Sequence, residues 1–326
     1  MAEEQAPVVL YVAGSGRSGS TLLASAVAAL PGCVGAGEVR YVWERGAVAD
    51  HLCGCGEPFS ACPVWTQVMA DVRAEHPHLA EPGALAALAA RQRQRLRVRT
   101  LPRVLVRRAL GRLPVPPSED DAVLVTLYRS LARVTGSGVV VDPSKLPPYG
   151  LLLQQLRGPG AGPALDVRVL HLVRDPRATA WSWRRRRRTH DVPGVDALMP
   201  RPGVLRASVL WALWNGLAAL WWRPRAGAGV LRVRYEDLVL DPAGVLADAA
   251  RLVGADPAAG PVLSTGDDGA ATLVLPRSHT VAGNPDRHGS GAVVVRADDE
   301  WRTRMGWRAR LLVGVVTAPA RLVLRW

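Results

Sequence analysis

A glycine- and serine-rich loop near the N-terminus constrains the fold of this chain more than any other segment. The loop at residues 14–21 reads GSGRSGST; an apolar run at residues 8–13 precedes it, and an apolar helical stretch at residues 21–30 follows it. Glycines let backbone N–H groups turn toward an anion, and the helix adds the positive end of its dipole. The segment therefore predicts a strand, an anion-binding loop and a helix.

The loop differs from that of nucleotide triphosphatases at one telling position. In the pattern G-x-x-x-x-G-K-[ST], the lysine reaches the β and γ phosphates. Here Ser20 stands at that position, and Arg17 instead places a cation inside the loop. We therefore expect an anion that carries less charge than a magnesium-bound triphosphate.

Three later apolar runs repeat the strand-to-helix arrangement. They lie at residues 139–141, 167–173 and 230–233, and each leads into a stretch typical of a helix. Strands that alternate with helices predict an α/β fold with a P-loop-like central parallel sheet flanked by helices. Ligands of such sheets bind beyond the carboxyl ends of the strands, and every motif described below falls at such an end.

We expect a helical insertion at about residues 84–136 within one domain that spans residues 1–326. Its first half, residues 91–112, carries nine arginines among Leu and Val residues, and its second half opens with Ser118, a good helix N-cap. The arginines either hold an acidic acceptor or lie on the surface, and the sequence leaves both open.

The composition points to a globular protein with an anionic partner. Hydrophobic residues make up 48% of the 326 residues and charged residues 21%, which excludes a disordered or fibrous chain. The 41 basic residues outnumber the 28 acidic ones, giving a net charge of +13, so nucleotides, sulfated or phosphorylated substrates, nucleic acid and acidic membranes are all candidates. Lys145 is the only lysine, and the richness in Ala, Gly, Val and Arg suggests a bacterial source.

The sequence predicts a cytoplasmic protein. The N-terminus is acidic, and its first apolar run breaks at once into the glycine loop, so no export signal is visible. The apolar stretch at residues 209–222 is interrupted by Asn215 and is shorter than the ~20 residues of a membrane span. We expect the arginine-containing tail at residues 308–326 to be an amphipathic helix packed on the core, with peripheral membrane contact as the alternative.

Three cysteines lie close together in the sequence. Cys53, Cys55 and Cys62 are spaced C-x-C-x6-C, and Cys33 or His51 could complete a set of four ligands. This spacing is not a familiar zinc signature. We therefore favour buried thiols or one local disulfide over a metal, and expect no metal in the site.

The loop from Arg17 to Leu23 resembles the 5′-phosphosulfate loop of sulfotransferases that use 3′-phosphoadenosine 5′-phosphosulfate (PAPS). Three further segments resemble that family in the expected order. They are Arg174-Asp175-Pro176-Arg177-Ala178 with Ser182 and Arg186, Tyr235-Glu236-Asp237-Leu238, and a C-terminal lid at residues 278–287.

The resemblance implies a PAPS-dependent sulfotransferase of the tyrosylprotein or carbohydrate type, with PAPS as co-substrate. The residues that it implies as cofactor contacts are Arg17, Ser18, Gly19, Ser20, Thr21, Arg174, Ser182, Arg186, Tyr235 and Arg287.

The predicted 3′-phosphate site is also sensible chemistry. Arg174 ends a strand, while Ser182 and Arg186 are four residues apart and would share one face of the next helix. One hydroxyl and two guanidinium groups suit a phosphate. We expect the neighbouring arginines, Arg184, Arg185, Arg187 and Arg188, to form only a solvated basic face.

Three residues are candidates for catalysis. Glu38 resembles the catalytic base in the Gly-Glu-x-x-Arg region of tyrosylprotein sulfotransferases, although Arg40 stands one position earlier than the arginine of that motif. The alternative role for Glu38 is an ion pair with Arg40 or Arg45. The alternative base is His51. Lys145 resembles a lysine that approaches the bridging oxygen of the leaving phosphate, and Arg17 matches a cation near the transferred group.

The implied reaction is in-line sulfuryl transfer to an acceptor hydroxyl without a metal, because the sulfuryl group is less anionic than a phosphoryl group. We expect a small-molecule or carbohydrate acceptor and no nucleic-acid partner. The alternatives are a P-loop kinase or nucleotide hydrolase, in which Asp142 would act like a Walker B acid, and a non-enzymatic anion-binding protein.

Overall fold

A computed structural model describes residues 6–110, 118–156, 164–192, 195–224, 227, 229–259, 263–265 and 270–326. Its strands are β1 Val8–Gly14, β2 Cys33–Gly35, β3 Val139–Lys145, β4 Asp166–Val173, β5 Arg188–Val192, β6 Val195–Leu198, β7 Val230–Arg234, β8 Leu263–Thr265, β9 Ala271–Leu275 and β10 Gly291–Val295. Its helices are α1 Ser20–Ala28, α2 Pro63–Glu75, α3 Ala84–Arg95, α4 Leu101–Ala109, α5 Glu119–Thr135, α6 Pro147–Gln155, α7 Pro176–Arg184, α8 Val204–Trp221, α9 Tyr235–Leu240, α10 Pro242–Val253, α11 Trp301–Arg304 and α12 Trp307–Leu324.

The central sheet has five strands in the order β2-β3-β1-β4-β7, and every pairing in it is parallel. β1 lies in the middle, where Leu10 pairs with Val141 on one side and with Arg168 on the other. Both faces of a parallel sheet are covered, which favours apolar strands, and β1 at the centre is apolar along its whole length. The predicted α/β fold, with its four strands and the helices after them, is confirmed.

Successive residues of β1 face two different cores. Val9 and Tyr11 point into a core that includes residues of α2, α5, α6 and α8, whereas Leu10 and Val12 point into a core that includes residues of α1 and α10. All four side chains are fully buried. This alternation fixes the register of β1 against its neighbours, and with it the position at the sheet edge where the following loop begins.

The insertion is helical, as expected, and comprises α3, α4 and α5; residues 111–117, which include Arg112, lie outside the described residues. Ser118 starts α5 in a capping box with Asp121. Two arginines of α3 are bound to this helix start, since Arg91 pairs with Asp120 and Arg95 with Asp121, each at 2.8 Å.

Two long helices pack together, and one of them, α8, also contacts β1 and β4. α8 is long and apolar enough, by length and mean hydropathy, to cross a membrane, yet in this fold it packs as a core helix. Its Asn215 is fully buried and lies 3.1 Å from the ring Nε2 of His171 in β4. α12 packs against α8 and α7, so the prediction that the C-terminal tail is a helix on the core is confirmed.

Candidate active site

A cleft of about 940 Å³ opens at the carboxyl ends of the central strands. Nine of the predicted site residues line it: Arg17, Gly19, Ser20, Thr21, Glu38, Lys145, Arg174, Ser182 and Tyr235. Ser18 lies just beneath its surface and is fully buried. Segments that are far apart in the chain therefore meet at the edge of the sheet where ligands of such folds bind.

The loop between β1 and α1 is shaped for an anion. Gly19 has a φ of +89°, and a Cβ added there would lie 2.4 Å from the ring of Tyr235, so only glycine fits. α1 has no side-chain cap at its N-terminus, which leaves its first N–H groups available to a ligand. The buried hydroxyls of Ser15 and Ser18 have no hydrogen-bond partner within the described part of the chain. A phosphate or sulfate group would satisfy these donors.

Arg17 points from this loop into the cleft. Its backbone is left-handed, with a φ of +66°. Its guanidinium donates to Asn284 Oδ1 at 2.8 Å, contacts Met199 Sδ at 3.0 Å and lies 5.1 Å from the ring centroid of Trp183. Burial and the charge of Arg187 lower the pKa of Arg17 to about 10, so the group remains a cation at neutral pH.

Glu38 and Lys145 meet in the cleft. Lys145 Nζ donates to Glu38 Oε1 at 2.7 Å and to the backbone oxygen of Pro143 at 2.9 Å, from a left-handed backbone with a φ of +68°. Arg40 lies 3.3 Å from Glu38 Oε2. Burial acts to raise the pKa of Glu38, but the charges of Lys145 and Arg40 outweigh it and hold the pKa below its usual value. The carboxylate is therefore ionised at neutral pH.

Asp142 lies behind this pair and outside the cleft lining. The fully buried carboxylate accepts hydrogen bonds from Ser144 N at 2.9 Å, Tyr128 Oη at 2.6 Å and Val39 N at 3.4 Å, and Ser144 Oγ in turn accepts from Arg40 N at 3.2 Å. Burial raises the pKa of Asp142 to about 6. Asp142 thus ties the end of β3 to the segment that carries Glu38, a positioning role that the sequence did not reveal.

A second basic group lies at the end of β4. Arg174 donates to the backbone oxygen of Arg17 at 3.2 Å, and its guanidinium carbon lies 4.3 Å from the ring centroid of Tyr235. Asp298 bridges Arg174, at 3.0 Å, and Arg185. The Nε atoms of Arg174 and Arg185 are buried without a partner in the described residues. These unpaired donors fit a second anion beside the loop.

The structure corrects the prediction for the arginines after β4. α7 ends at Arg184, and the chain is extended at Arg185. Ser182 and Arg186 therefore do not share a helix face; Ser182 lines the cleft, whereas Arg186 is exposed and does not. Arg185 and Arg187, which we expected on a solvated basic face, line the cleft instead.

Arg287 also has a different place from the one expected. It is 4% exposed and donates to Asp191 Oδ1 at 2.6 Å and to the backbone oxygens of Leu52 and Thr280 at 2.8 and 3.0 Å. It therefore pins its segment to the neighbouring loop and does not line the cleft. Asn284 is the residue of this segment that reaches Arg17. His51, the alternative base, does not line the cleft either.

Comparison with known proteins assigns the chain to a family. A family model described as "Sulfotransferase family" matches residues 7–256 of the chain. The chain belongs to the sulfotransferase family. The match covers the loop, the three catalytic candidates, Arg174 and Tyr235.

Solved structures similar to this sulfotransferase include two domains from biosynthetic enzymes. The sulfotransferase domain of the Synechococcus PCC 7002 olefin synthase is 19% identical, with a TM-score of 0.50, over 99% of this chain and 97% of that one. The sulfotransferase domain from the curacin biosynthetic pathway is 16% identical, with a TM-score of 0.47, over 97% of this chain and 98% of that one. The first confirms the fold. No curated protein matches this sulfotransferase.

Proposed function

We propose that this enzyme transfers a sulfuryl group from PAPS to the hydroxyl of a small organic or carbohydrate acceptor. The observation that carries the proposal is the 2.7 Å contact between Glu38 and Lys145 beside an anion-binding loop. A carboxylate that can accept a proton and a cation that can stabilise a leaving oxygen are the two groups that such a transfer needs.

The two groups of unpaired donors suit the two ends of the donor nucleotide. The loop, with the hydroxyls of Ser15 and Ser18 and the N-terminus of α1, would hold the sulfated 5′-phosphate. Arg174 and Ser182 would hold the 3′-phosphate, and Tyr235 would contact the nucleotide between them. A phosphate at each place would satisfy buried donors that the described residues leave unpaired.

Glu38 would take the proton from the acceptor hydroxyl. The acceptor oxygen then forms a bond to sulfur while the bond from sulfur to the bridging phosphate oxygen breaks, and its electron pair stays with the released 3′-phosphoadenosine 5′-phosphate. Lys145 would stabilise the charge on that oxygen, and Arg17 the charge on the transferred group. Lys145 contacts Glu38 as well, so a lysine that turns toward the leaving oxygen would leave the carboxylate more basic.

The rest of the cleft suits an organic acceptor. Tyr41, Leu146 and Trp214 contribute apolar and aromatic surface to its wall. Aromatic faces pack well against sugar rings and phenols alike. These residues support a small-molecule or carbohydrate acceptor.

A thermal-shift titration tests the proposal. The ligands are 3′-phosphoadenosine 5′-phosphate, adenosine 5′-monophosphate, and ATP with and without magnesium. A ligand at about 100 times its Kd stabilises the fold by about 2.7 kcal/mol. We expect this stabilisation from the 3′-phosphorylated nucleotide alone, with no need for magnesium. Stabilisation by ATP and magnesium alone would favour the kinase or hydrolase alternative, against which the burial of Asp142 also argues.

A further inference from the structure

Three thiols and one imidazole converge beside the segment that supports Glu38. The Sγ atoms of Cys53, Cys55 and Cys62 and a ring nitrogen of His279 all lie within 4.8 Å of one another. Cys62 Sγ and His279 Nδ1 are 3.2 Å apart. The histidine comes from a segment 217 residues away in the chain, which explains why spacing alone did not reveal the set.

The three cysteines are buried, with exposures of 0%, 9% and 0%, and all four cysteines of the chain are free thiols. Buried cysteines that face one another without a disulfide call for another partner. In a tetrahedral zinc site the Zn–S bonds are about 2.3 Å and Zn–N bonds about 2.0–2.1 Å, which puts the ligand atoms about 3.5–3.8 Å apart. The cluster is close to that size.

We propose that Cys53, Cys55, Cys62 and His279 bind one structural Zn²⁺. Thiolate with imidazole is the ligand set that zinc prefers, and four protein ligands leave no open position for catalysis. The proposal reverses the preference for thiols or a disulfide that the sequence suggested.

The backbone around the cluster holds the ligands in place. Gly54 N donates to the backbone oxygen of Thr280 at 2.9 Å, and a Cβ at Gly54 would lie 2.4 Å from Thr280 Oγ1. Trp65 Nε1 donates to the backbone oxygen of His279 at 2.7 Å. The segment that carries the cysteines and the segment that carries His279 are thus already joined at two points, as a preorganised site requires.

The metal would also anchor the segment that fixes the catalytic base. Two residues beyond His279, Val281 N donates to the backbone oxygen of Ala36 at 2.9 Å, and Glu38 N donates to that of Ala282 at 3.1 Å. Loss of the metal should therefore loosen Glu38 as well as the cysteine loop. This consequence for turnover rests on the proposed function, whereas the metal site does not.

Metal analysis of the untagged wild-type protein, expressed with added zinc and purified without chelators, tests the site. We expect one zinc per chain by inductively coupled plasma mass spectrometry. The X-ray absorption spectrum should show three sulfur ligands and one nitrogen ligand around the zinc. The variants Cys62→Ser and His279→Ala should lose zinc and melt at a lower temperature. Cys33→Ser is the matched control, because Cys33 lies outside the cluster; it should keep the full zinc content.

The wild-type result decides the proposal even if the ligand variants fail to fold. Wild-type protein without stoichiometric zinc would overturn it, and so would a disulfide among the three cysteines in peptide maps of alkylated protein. Iron in place of zinc would overturn the choice of ion. Zinc binding without any response to PAPS-type nucleotides would leave the metal site intact and contradict only the proposed function.

Discussion

Replacement of Glu38 by Gln tests the proposed base while preserving the shape of the side chain. The amide can still accept one hydrogen bond where Lys145 donates at 2.7 Å, but it cannot take a proton from an acceptor hydroxyl. The substitution therefore separates the chemistry of the carboxylate from its packing.

The structure sets the size of the expected effects. A positioned general base contributes about 10²–10⁴-fold, so we expect kcat to fall by about that factor. The carboxylate also forms charge-assisted contacts with Lys145 and Arg40 at 2.7 and 3.3 Å. Because a hydrogen bond to a charged group contributes about 1.5–3 kcal/mol, we expect the free energy of unfolding to fall by about that much. Nucleotide affinity should be unchanged or higher, since Lys145 is released toward the leaving phosphate.

The assay measures release of 3′-phosphoadenosine 5′-phosphate during turnover, with equilibrium binding of the same nucleotide and urea unfolding alongside. Glu44→Gln is the control, because Glu44 is partly exposed and lies 3.5 Å from Arg93; neither kcat nor stability should change appreciably. Since the pKa of Glu38 is held below its usual value, the acid limb of kcat/KM for the sulfuryl donor, which reports the enzyme before the donor binds, should lie below the ordinary glutamate range. A Glu38→Gln enzyme with full kcat would refute the assignment, as would one that loses only nucleotide affinity.

Three further outcomes follow from described contacts. Arg174→Ala should weaken binding of 3′-phosphoadenosine 5′-phosphate by about 10–100-fold, as expected for a charge-assisted contact, and leave binding of adenosine 5′-monophosphate unaffected. The control Arg186→Ala, on an exposed side chain, should change the affinity for neither nucleotide. Equal losses of affinity for both nucleotides in Arg174→Ala would contradict the 3′-phosphate role. Gly19→Ala should lower Tm and nucleotide affinity, because the left-handed backbone alone costs alanine about 1–2 kcal/mol and the new Cβ would clash with the Tyr235 ring. An unchanged Tm by calorimetry would count against this account of Gly19. Burial lowers the pKa of His171 to about 3, so between about pH 6.5 and pH 3 the unfolded chain binds a proton that the folded chain does not. As the pH is lowered through that window, the free energy of unfolding should fall by about 1.4 kcal/mol per pH unit. A His171→Gln variant with the same pH dependence of the free energy of unfolding would rule this out.

Much of the site was predictable because strand ends and loops carry local signals. The loop at residues 14–21, Glu38 after β2 and Lys145 at the end of β3 were each identified from their own segments, and parallel strands bring such ends together. Four of the five central strands, β1, β3, β4 and β7, were likewise predicted from apolar runs in their own segments. The fifth strand, β2, is only three residues long and carries little pattern of its own.

The parts that sequence reasoning missed depend on contacts between distant segments or on where a helix ends. Asp298 lies 124 residues beyond Arg174, and nothing near it signals an ion pair. α7 ends at Arg184, and the chain beyond it is extended. As a result Arg185 lines the cleft, whereas its neighbour Arg186 does not. Tertiary contacts override local helix propensity, so a run of identical arginines could not reveal which ones face the site.

The left-handed backbone at Arg17 and Lys145 has a consequence for anyone who seeks a more heat-resistant form of this enzyme. Each conformation costs a residue with a side chain about 1–2 kcal/mol, and glycine would relieve that cost. Glycine at either position would also delete a cation that lines the cleft. Substitutions that look beneficial by backbone criteria would therefore trade activity for durability here. Stabilising changes are better sought on the exposed faces of the insertion, where the arginines of α3 already pair with the start of α5.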